Sequence, residues 1–261
     1  MQVFLLRAQD ENENLWKTLV RPAKRARTGD QILFDENFRA KVIAESEFGE
    51  RLVQFFADEP LRDLFDRLGE TPLPPYIHRK PGEKDRERYQ TVYAQKSGSA
   101  AAPTAGLHFT PELLEQCRQA GASIAELTLH VGLGTFAPIR EKQLKDIELH
   151  EEYFEIQAAS AETMRQASRL LCVGTTSVRT LETAMLRGGL KEMKGETNLF
   201  ISPGFRFKAA GAMLTNFHLP QSSLLMLVCA FAGYDLIMAA YRHAVKEKYR
   251  FFSYGDCMFI E

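Results

Sequence analysis

Residues 172–182 have the sequence Cys-Val-Gly-Thr-Thr-Ser-Val-Arg-Thr-Leu-Glu, and they constrain the fold more than any other stretch of the chain. The apolar run Leu170–Val173 predicts a buried strand. Beyond the glycine, Val178, Leu181 and Met185 recur at helical spacing. The strand therefore passes into a helix through a turn whose N–H groups and hydroxyls face the strand end, where open α/β sheets bind ligands. A plain turn, in which the hydroxyls only cap the helix, is the alternative.

Two further segments have the same character. The first is a stretch of mostly small residues ahead of a helix start, residues 98–110, with the sequence Gly-Ser-Ala-Ala-Ala-Pro-Thr-Ala-Gly-Leu-His-Phe-Thr. The second predicts a strand followed by a polar loop, residues 214–220, with the sequence Leu-Thr-Asn-Phe-His-Leu-Pro. Small residues let a ligand approach the backbone closely. These segments supply His108 and His218, and each histidine belongs either to a ligand site or to an ordinary packed or surface position.

The bulk properties exclude several classes of protein. The longest apolar run, Leu224–Ala232, is too short for a membrane span, which needs roughly 20 residues, so it predicts a buried helix. The four cysteines, at 117, 172, 229 and 257, form no C-x-x-C pair, which disfavours a zinc site or a disulfide framework. The opening residues lack the pattern of a signal peptide, so we expect a cytoplasmic protein that does not contact a membrane.

The charge pattern leaves one candidate surface for phosphate. The formal net charge is −1, so bulk electrostatics does not favour nucleic-acid binding. Local basic clusters occur at residues 79–88, where acids dilute the charge, and at Arg21, Lys24, Arg25 and Arg27, where no acid interrupts it. Both clusters have an ordinary solvated surface as the alternative. The uninterrupted cluster is the better candidate.

The hydrophobic patterning divides the chain into three parts. Residues 1–57 contain five alternating runs at short, even spacing, which predict a small antiparallel sheet or barrel. Residues 58–97 form a connecting segment with a short helix over 61–68 that ends at Gly69. Residues 98–261 alternate strands and helices. We therefore expect an α/β main domain with a small antiparallel β-barrel-like domain.

Local patterns predict the elements of the main domain. Thr110-Pro111-Glu112 is a helix start, and Gly121 closes that helix. Further helices are expected at about 160–168, 176–187, 222–232 and 235–247. Strands are expected at 124–131, 153–156 and 258–260.

Two further motifs are ambiguous. Residues 130–138 contain a G-x-G-x-x-A string, but Pro138 disfavours the helix that a dinucleotide fingerprint requires. A turn close to a ligand, which includes Gly134 and Thr135, is favoured instead. Residues 249–256 are either a C-terminal strand that docks on the sheet or a glycine turn that presents Tyr254 and Asp256 to a ligand. No histidine spacing typical of a metal site occurs.

Several segments together resemble one family. They are Pro74-Pro75-Tyr76-Ile77, the Asp-Arg-Glu-Arg-Tyr-Gln-Thr-Val-Tyr-Ala run at 85–94, and residues 98–110, 130–136, 173–182, 215–220 and 250–256. In this order, over nearly the whole chain, they resemble the S-adenosylmethionine:tRNA ribosyltransferase-isomerase family of the queuosine pathway. The resemblance implies that the ribosyl part of S-adenosylmethionine is moved to 7-aminomethyl-7-deazaguanine at the tRNA wobble position and rearranged, which gives epoxyqueuosine and releases adenine and methionine. It also implies that S-adenosylmethionine is a consumed substrate, with no cofactor and no metal.

The implied chemistry suggests roles for the candidate residues. The sulfonium acidifies the 5′-carbon protons, so a base is needed, and the departing adenine needs a proton donor. We expect the general acid and base among His108, His218 and Asp256. The substrate is expected to contact Thr104, Gly134, Thr135, Thr175, Thr176, Ser177, Arg179, Asn216 and Tyr254. Among these Arg179 suits a carboxylate or phosphate, and tRNA is expected to contact Arg21, Lys24, Arg25 and Arg27.

The chain departs from the family pattern at its start. Family members carry an Asp-rich opening with Leu-Pro and an Asn-Asp-Thr-Arg segment, and neither motif occurs here. The expected protein is a monomeric transferase. A non-catalytic remnant that only binds tRNA or a partner is the alternative.

Overall fold

The computed structural model describes residues 1–10, 12–46, 49–74, 76–96, 99, 101–132, 149 and 151–261. The chain divides into two compact units, which we call the sheet unit and the mixed unit. The sheet unit comprises mainly Met1–Leu73 and Lys80–Arg86, and the mixed unit mainly Pro74–Arg79, Glu87–Lys96 and Ala101–Glu261. The predicted domain boundaries stay a prediction.

The sheet unit is built on a five-stranded antiparallel sheet. Its strands are β1 (Gln2–Ala8), β2 (Leu15–Arg21), β3 (Gln31–Asp35), β4 (Phe38–Glu45) and β5 (Glu50–Ala57), in the order β1-β2-β5-β4-β3. Helix α1 (Leu61–Leu68) belongs to the same unit, and so do the first four residues of the short helix α2 (Glu83–Arg88). All five strands and α1 lie where the patterning predicts them, because burial of one face imposes a period of two residues on a strand and of about 3.6 on a helix.

The sheet buries one face. In β4, Phe38, Ala40 and Val42 are buried and Arg39 and Lys41 between them are exposed. The core also contains Val20, Ile32, Val53, Phe55 and Leu64. Because β1 and β3 are the two edges of the order, the described strands form an open sheet and no closed barrel. The barrel-like part of the prediction is therefore not confirmed.

The mixed unit contains two three-stranded sheets and five helices among its described residues. Its strands are β6 (Leu127–His130), β7 (Glu152–Ile156), β8 (Leu171–Val173), β9 (Met193–Thr197), β10 (Ala212–Asn216) and β11 (Cys257–Ile260). Its helices are α3 (Pro111–Gln119), α4 (Ala158–Gln166), α5 (Thr175–Leu186), α6 (Ser223–Ala232) and α7 (Tyr234–Lys246). One sheet is antiparallel, in the order β6-β7-β9, and the other has the order β11-β10-β8. In the second sheet β10 pairs with β8 in parallel and with β11 antiparallel. A mixed α/β fold with antiparallel sheets is thus confirmed.

Helix α5 is the central helix of the mixed unit. Nine of its residues are buried, among them Val178 and Leu181. It packs in one core with Phe154, Met213 and Val228. A helix buried on this scale holds the turn before it firmly in place.

The prediction differs from the structure at three strands. The strand expected over Leu170–Val173 begins at Leu171, whose side chain is 49% exposed, because β8 is an edge strand rather than a buried one. The strand expected over 124–131 is limited to Leu127–His130. Strand β9 was missed, because its alternation of Met193 and Gly195 with charged residues is weak.

The apolar run that the sequence places in a buried helix forms most of α6. Leu224, Leu227, Val228 and Cys229 are buried there. In the described part of the chain no single helix is long and apolar enough to cross a membrane. By length and composition alone, the bent pair α6 and α7, with 117° between them, could.

Candidate functional site

A small cavity lies where the two parallel strands of the mixed unit end. Leu171 of β8 pairs with Ala212 of β10, and Val173 pairs with Leu214, so both strands finish at the same edge. The cavity has a volume of about 60 Å³. Its lining includes Thr104, Thr175, Thr176, Thr215, Asn216, His218, Ser222 and Ser253. Pockets that bury a drug-sized ligand measure roughly 300–1,000 Å³, so the described residues enclose only part of such a ligand.

The first wall of the cavity is the start of α5. Gly174 has a φ of 91°, a conformation that favours glycine, and its N–H donates to the carbonyl of Leu214 at 2.8 Å. No side chain caps the helix. Thr175 and Thr176 open the helix, and both are buried and line the cavity. The uncapped N–H groups and the positive end of the helix dipole therefore adjoin the cavity.

The second wall of the cavity is the end of β10, where Asn216 contacts His108. Its amide nitrogen lies 3.1 Å from Nε2 of His108 and 3.2 Å from the carbonyl oxygen of Phe252. Because that carbonyl can only accept, the amide nitrogen is the donor on this side, so Nε2 of His108 accepts and the neutral ring carries its proton on Nδ1. The Oδ1 atom of Asn216 is buried and has no hydrogen-bond partner among the described residues. It is free to accept from a ligand.

The two histidines occupy different positions. His218 lines the cavity, whereas His108 does not and contacts it through Asn216. The Nε2 atom of His218 lies 2.8 Å from the hydroxyl of Thr215, and its backbone N–H donates to the hydroxyl of Tyr241 at 2.7 Å. Burial lowers the pKa of His218 to about 4, and burial also lowers the pKa of His108. Both rings are therefore neutral at pH 7.

The third wall comes from the loop after α7. Phe252 has a φ of 71°, which is strained for a side chain of its size. Next to it, Ser253 is buried, and its hydroxyl is hydrogen-bonded to the hydroxyl of Tyr76. Its N–H donates to the same Tyr76 oxygen at 3.1 Å. The loop requires glycine at position 255, because a Cβ there would collide with the carbonyl oxygen of Arg250.

Two of the predicted residues in this loop have protein partners. Asp256 accepts the backbone N–H of Arg250 at 2.7 Å and its guanidinium at 2.9 Å. These bonds from Arg250 lower the pKa of Asp256. Tyr254 packs its ring edge-on against Tyr89 at 5.4 Å. Neither residue lines the cavity, so this geometry favours a part in shaping the loop over direct contact with the reacting atoms.

Arg179 and Ser177 lie next to the cavity-lining threonines in sequence but have partners within the protein. Arg179 is buried, and its guanidinium donates to Glu152 at 2.9 Å and to the carbonyl of Leu199 at 3.1 Å. The hydroxyl of Ser177 donates to the carbonyl of Val173 at 2.8 Å. Neither side chain lines the cavity. The arginine that the sequence places against a substrate anion already has a carboxylate partner within the protein.

Apart from His108 and the four residues that have other partners, the predicted residues fall into three groups. Thr104, Thr175, Thr176, Asn216 and His218 are brought together around the cavity. Gly134 and Thr135 lie outside the described residues. The cations Arg21, Lys24, Arg25 and Arg27 lie in the sheet unit and are exposed. Among the described residues no group of three or more His, Cys, Asp or Glu side chains could hold a metal ion.

Sequence reasoning missed Tyr76, Ser222 and Ser253 as parts of the site. Ser222 caps α6, where it accepts the N–H of Leu225 at 3.2 Å, and it also lines the cavity. Tyr76 and Ser253 are separated by 177 positions in the chain. Both lie in segments that carry the family resemblance, and this resemblance was the only feature of the sequence that pointed to them as site residues.

Comparisons with known proteins agree on one family. A family model described as queuosine biosynthesis protein matches residues 1–260. The chain is 56% identical over 260 residues to the S-adenosylmethionine:tRNA ribosyltransferase-isomerase of Solibacter usitatus (strain Ellin6076), a match that covers 100% of this chain and 73% of that protein. It is also similar to the crystal structure of S-adenosylmethionine tRNA ribosyltransferase from Thermotoga maritima, with 37% identity and a TM-score of 0.52 over 99% of this chain and 74% of that chain.

Proposed function

The chain belongs to the queuosine biosynthesis protein family, and from this premise we propose that it is an S-adenosylmethionine:tRNA ribosyltransferase-isomerase. The enzyme moves the ribosyl group of S-adenosylmethionine to the aminomethyl group of 7-aminomethyl-7-deazaguanine in tRNA. It isomerises the ribose to the epoxy-cyclopentanediol of epoxyqueuosine, and adenine and methionine leave. S-adenosylmethionine is then a consumed substrate, and the reaction needs no further cofactor.

The observation that carries the proposal is the cavity where β8 and β10 end. It joins the uncapped start of α5, a neutral histidine and a buried amide oxygen without a partner. These groups suit the ribose of a nucleoside, whose hydroxyls both donate and accept. Thr175, Thr176 and Asn216 therefore position the ribose. The cavity is too small for all of S-adenosylmethionine, and it holds this central part.

His218 is the group that we assign to proton transfer at the substrate. It lines the cavity, and its lowered pKa keeps the ring neutral and able to accept a proton. A neutral ring also avoids repulsion with the sulfonium. His108 is the second acid–base candidate, and Asn216 holds its Nε2 so that Nδ1 carries the proton.

The methionine carboxylate binds at the start of α5. The charge of Arg179 is matched by Glu152, and only its buried Nη2 atom has no hydrogen-bond partner among the described residues. The N–H groups that follow Gly174 are uncapped, and such helix ends bind carboxylates. We assign the carboxylate to these N–H groups.

The tRNA substrate binds through its phosphates. Arg21, Lys24, Arg25 and Arg27 are exposed in the sheet unit and supply the positive surface. The protein acts as a monomer in the cytoplasm, the compartment in which tRNA is charged and used.

Nucleoside mass analysis tests the function. The purified chain is mixed with S-adenosylmethionine and tRNA bearing 7-aminomethyl-7-deazaguanine, and the digested tRNA is searched for epoxyqueuosine, with free adenine as the second readout. Product formation is the expected result, and tRNA with unmodified guanine at the wobble position is the control. If a folded chain that binds tRNA yields no product, it is a non-catalytic binding protein and the proposal fails.

A further inference from the structure

A second cavity, in the sheet unit, has no part in the chemistry described above. Its volume is about 390 Å³, and its lining includes Lys24, Arg27, Glu45 and Arg51. We propose that this cavity binds a phosphodiester of the tRNA backbone, with Lys24 and Arg27 as the contacting residues and Arg51 as the positioning residue. The inference rests on the proposed function, because it takes tRNA as the substrate.

Arg51 builds the floor of this site. Its side chain is buried, and its guanidinium donates to the carbonyls of Ala26 at 2.6 Å, Ala23 at 3.0 Å and Glu50 at 2.7 Å. Two of these carbonyls belong to the turn that carries Lys24 and directly precedes Arg27. A turn held at both ends by one buried side chain keeps its two cations in a constant place.

The charges of the cavity do not cancel. The carboxylate of Glu45 lies 3.3 Å from the guanidinium of Arg51 and accepts the N–H of Thr28 at 3.1 Å, so it is matched within the protein. Lys24 and Arg27 are exposed, and within the described ranges neither side chain has an ion pair. Two positive charges therefore remain for a ligand.

The ligand is a phosphate of a polymer rather than a free ion. Arg25 and Arg21, which are one and three positions from Lys24 in the chain, are also exposed and add to the positive charge of this segment. A single inorganic phosphate needs no such row, whereas a nucleic-acid backbone repeats its charge at short intervals. The cavity thus marks the point where that backbone is held most closely.

The test compares tRNA affinity over a series of salt concentrations. Full-length Lys24→Gln and Arg27→Gln chains are measured with labelled tRNA bearing 7-aminomethyl-7-deazaguanine. Each variant is expected to lower affinity about three- to sixfold near 0.15 M salt and to reduce the slope of log K against log salt by about 0.7–0.9. The matched control is Arg39→Gln, which removes the same charge from the opposite end of β4, roughly 20 Å from Glu45. It is expected to keep both the affinity and the slope.

Two results overturn the inference. One is a loss of affinity no larger than that of the Arg39→Gln control. The other has two parts: inorganic phosphate competes with tRNA at constant ionic strength, and the variants bind tRNA as the wild-type chain does. This result would make the cavity a site for the free ion.

Turnover measurements separate the inference from the proposed function. The variants should have a higher KM for tRNA and an unchanged kcat. If the wild-type chain forms no product but still binds tRNA through Lys24 and Arg27, only the proposed function fails and the inference stands.

Discussion

The cavity of the mixed unit and the cavity of the sheet unit have opposite kinds of lining. The first, of about 60 Å³, is lined by buried hydroxyls, an amide and a neutral imidazole. The second, of about 390 Å³, has the exposed cations Lys24 and Arg27 in its lining, beside the matched pair of Arg51 and Glu45. Buried dipoles discriminate among ligands by geometry, because an unsatisfied partner is costly. Exposed charges attract any polyanion and depend on salt. Under the proposed function, one chain thus separates recognition of the reacting group from capture of the polymer.

The same contrast recurs in how the two regions are held. In the mixed unit, the buried carboxylate of Glu182 accepts the N–H groups of Lys208, Ala209 and Ala210 at 2.9–3.0 Å. In the sheet unit, the buried guanidinium of Arg51 donates to backbone carbonyls. A loop without regular hydrogen bonds leaves donors or acceptors unpaired. In each unit one buried charged side chain fixes the loop: a carboxylate accepts from N–H groups in the mixed unit, and a guanidinium donates to carbonyls in the sheet unit.

The largest expected effect is on stability, and it comes from Glu182→Ala. The side chain is fully buried, and its loss leaves three N–H groups without an acceptor just ahead of β10. We expect the free energy of unfolding to fall by about 3 kcal/mol or more, measured by urea unfolding with far-UV circular dichroism. Glu192→Ala, at an exposed position, is the control and should change little. A loss below about 1 kcal/mol would show that Glu182 does not hold the loop.

The next effect concerns catalysis. His218→Ala and His108→Ala, tested one at a time, should each lower turnover roughly 100-fold or more, because each removes an acid–base group or its support. Adenine release at saturating substrates measures this. The control is His243→Ala on the exposed side of α7. Wild-type rates in both site variants would contradict the roles that we assign.

A third effect concerns pH. Burial lowers the pKa of His218 in the folded chain to about 4, whereas an unfolded histidine titrates near 6.5. Between these values the unfolded chain binds a proton that the folded chain does not, so stability falls as the pH falls. The slope between pH 6.5 and 5 should reach up to about 1.4 kcal/mol per pH unit for this group. His218→Gln should flatten the urea-unfolding profile, and His243→Gln should leave it unchanged. An equal slope in both variants would refute the assignment.

The smallest expected effect is on stability, from alanine substitution of two matched glycines, one in each unit. Gly29 has a φ of 96° and Gly121 a φ of 93°, and a Cβ at either position would meet nothing within 4 Å. Gly29→Ala and Gly121→Ala should therefore each cost about 1 kcal/mol through backbone strain alone. The only tryptophan, Trp16, lies in β2 and reports Gly29→Ala by fluorescence, while circular dichroism reports Gly121→Ala. An unchanged free energy of unfolding in either variant would mean that its turn adjusts to the alanine without strain.

Much of the local structure could be predicted from sequence. The five strands of the sheet unit follow from alternation, and α3 begins at Pro111 after the predicted cap Thr110, whose hydroxyl accepts the N–H of Leu113. The cavity residues Thr175, Thr176 and His218 follow from loops at strand ends. The pairing of β8 with β10 could not be predicted, because short strands carry no information about their neighbours.

The sequence by itself determined the element types, the family and the residue chemistry available at each loop, since periodicity, caps and motifs are local along the chain. Only the tertiary structure decided which of those residues act together. It paired Arg179 with Glu152, linked Asn216 to His108, and placed Ser253 against Tyr76. The physical reason is that hydrogen bonds and burial depend on distances in space. Residues far apart in sequence meet only after the core has packed.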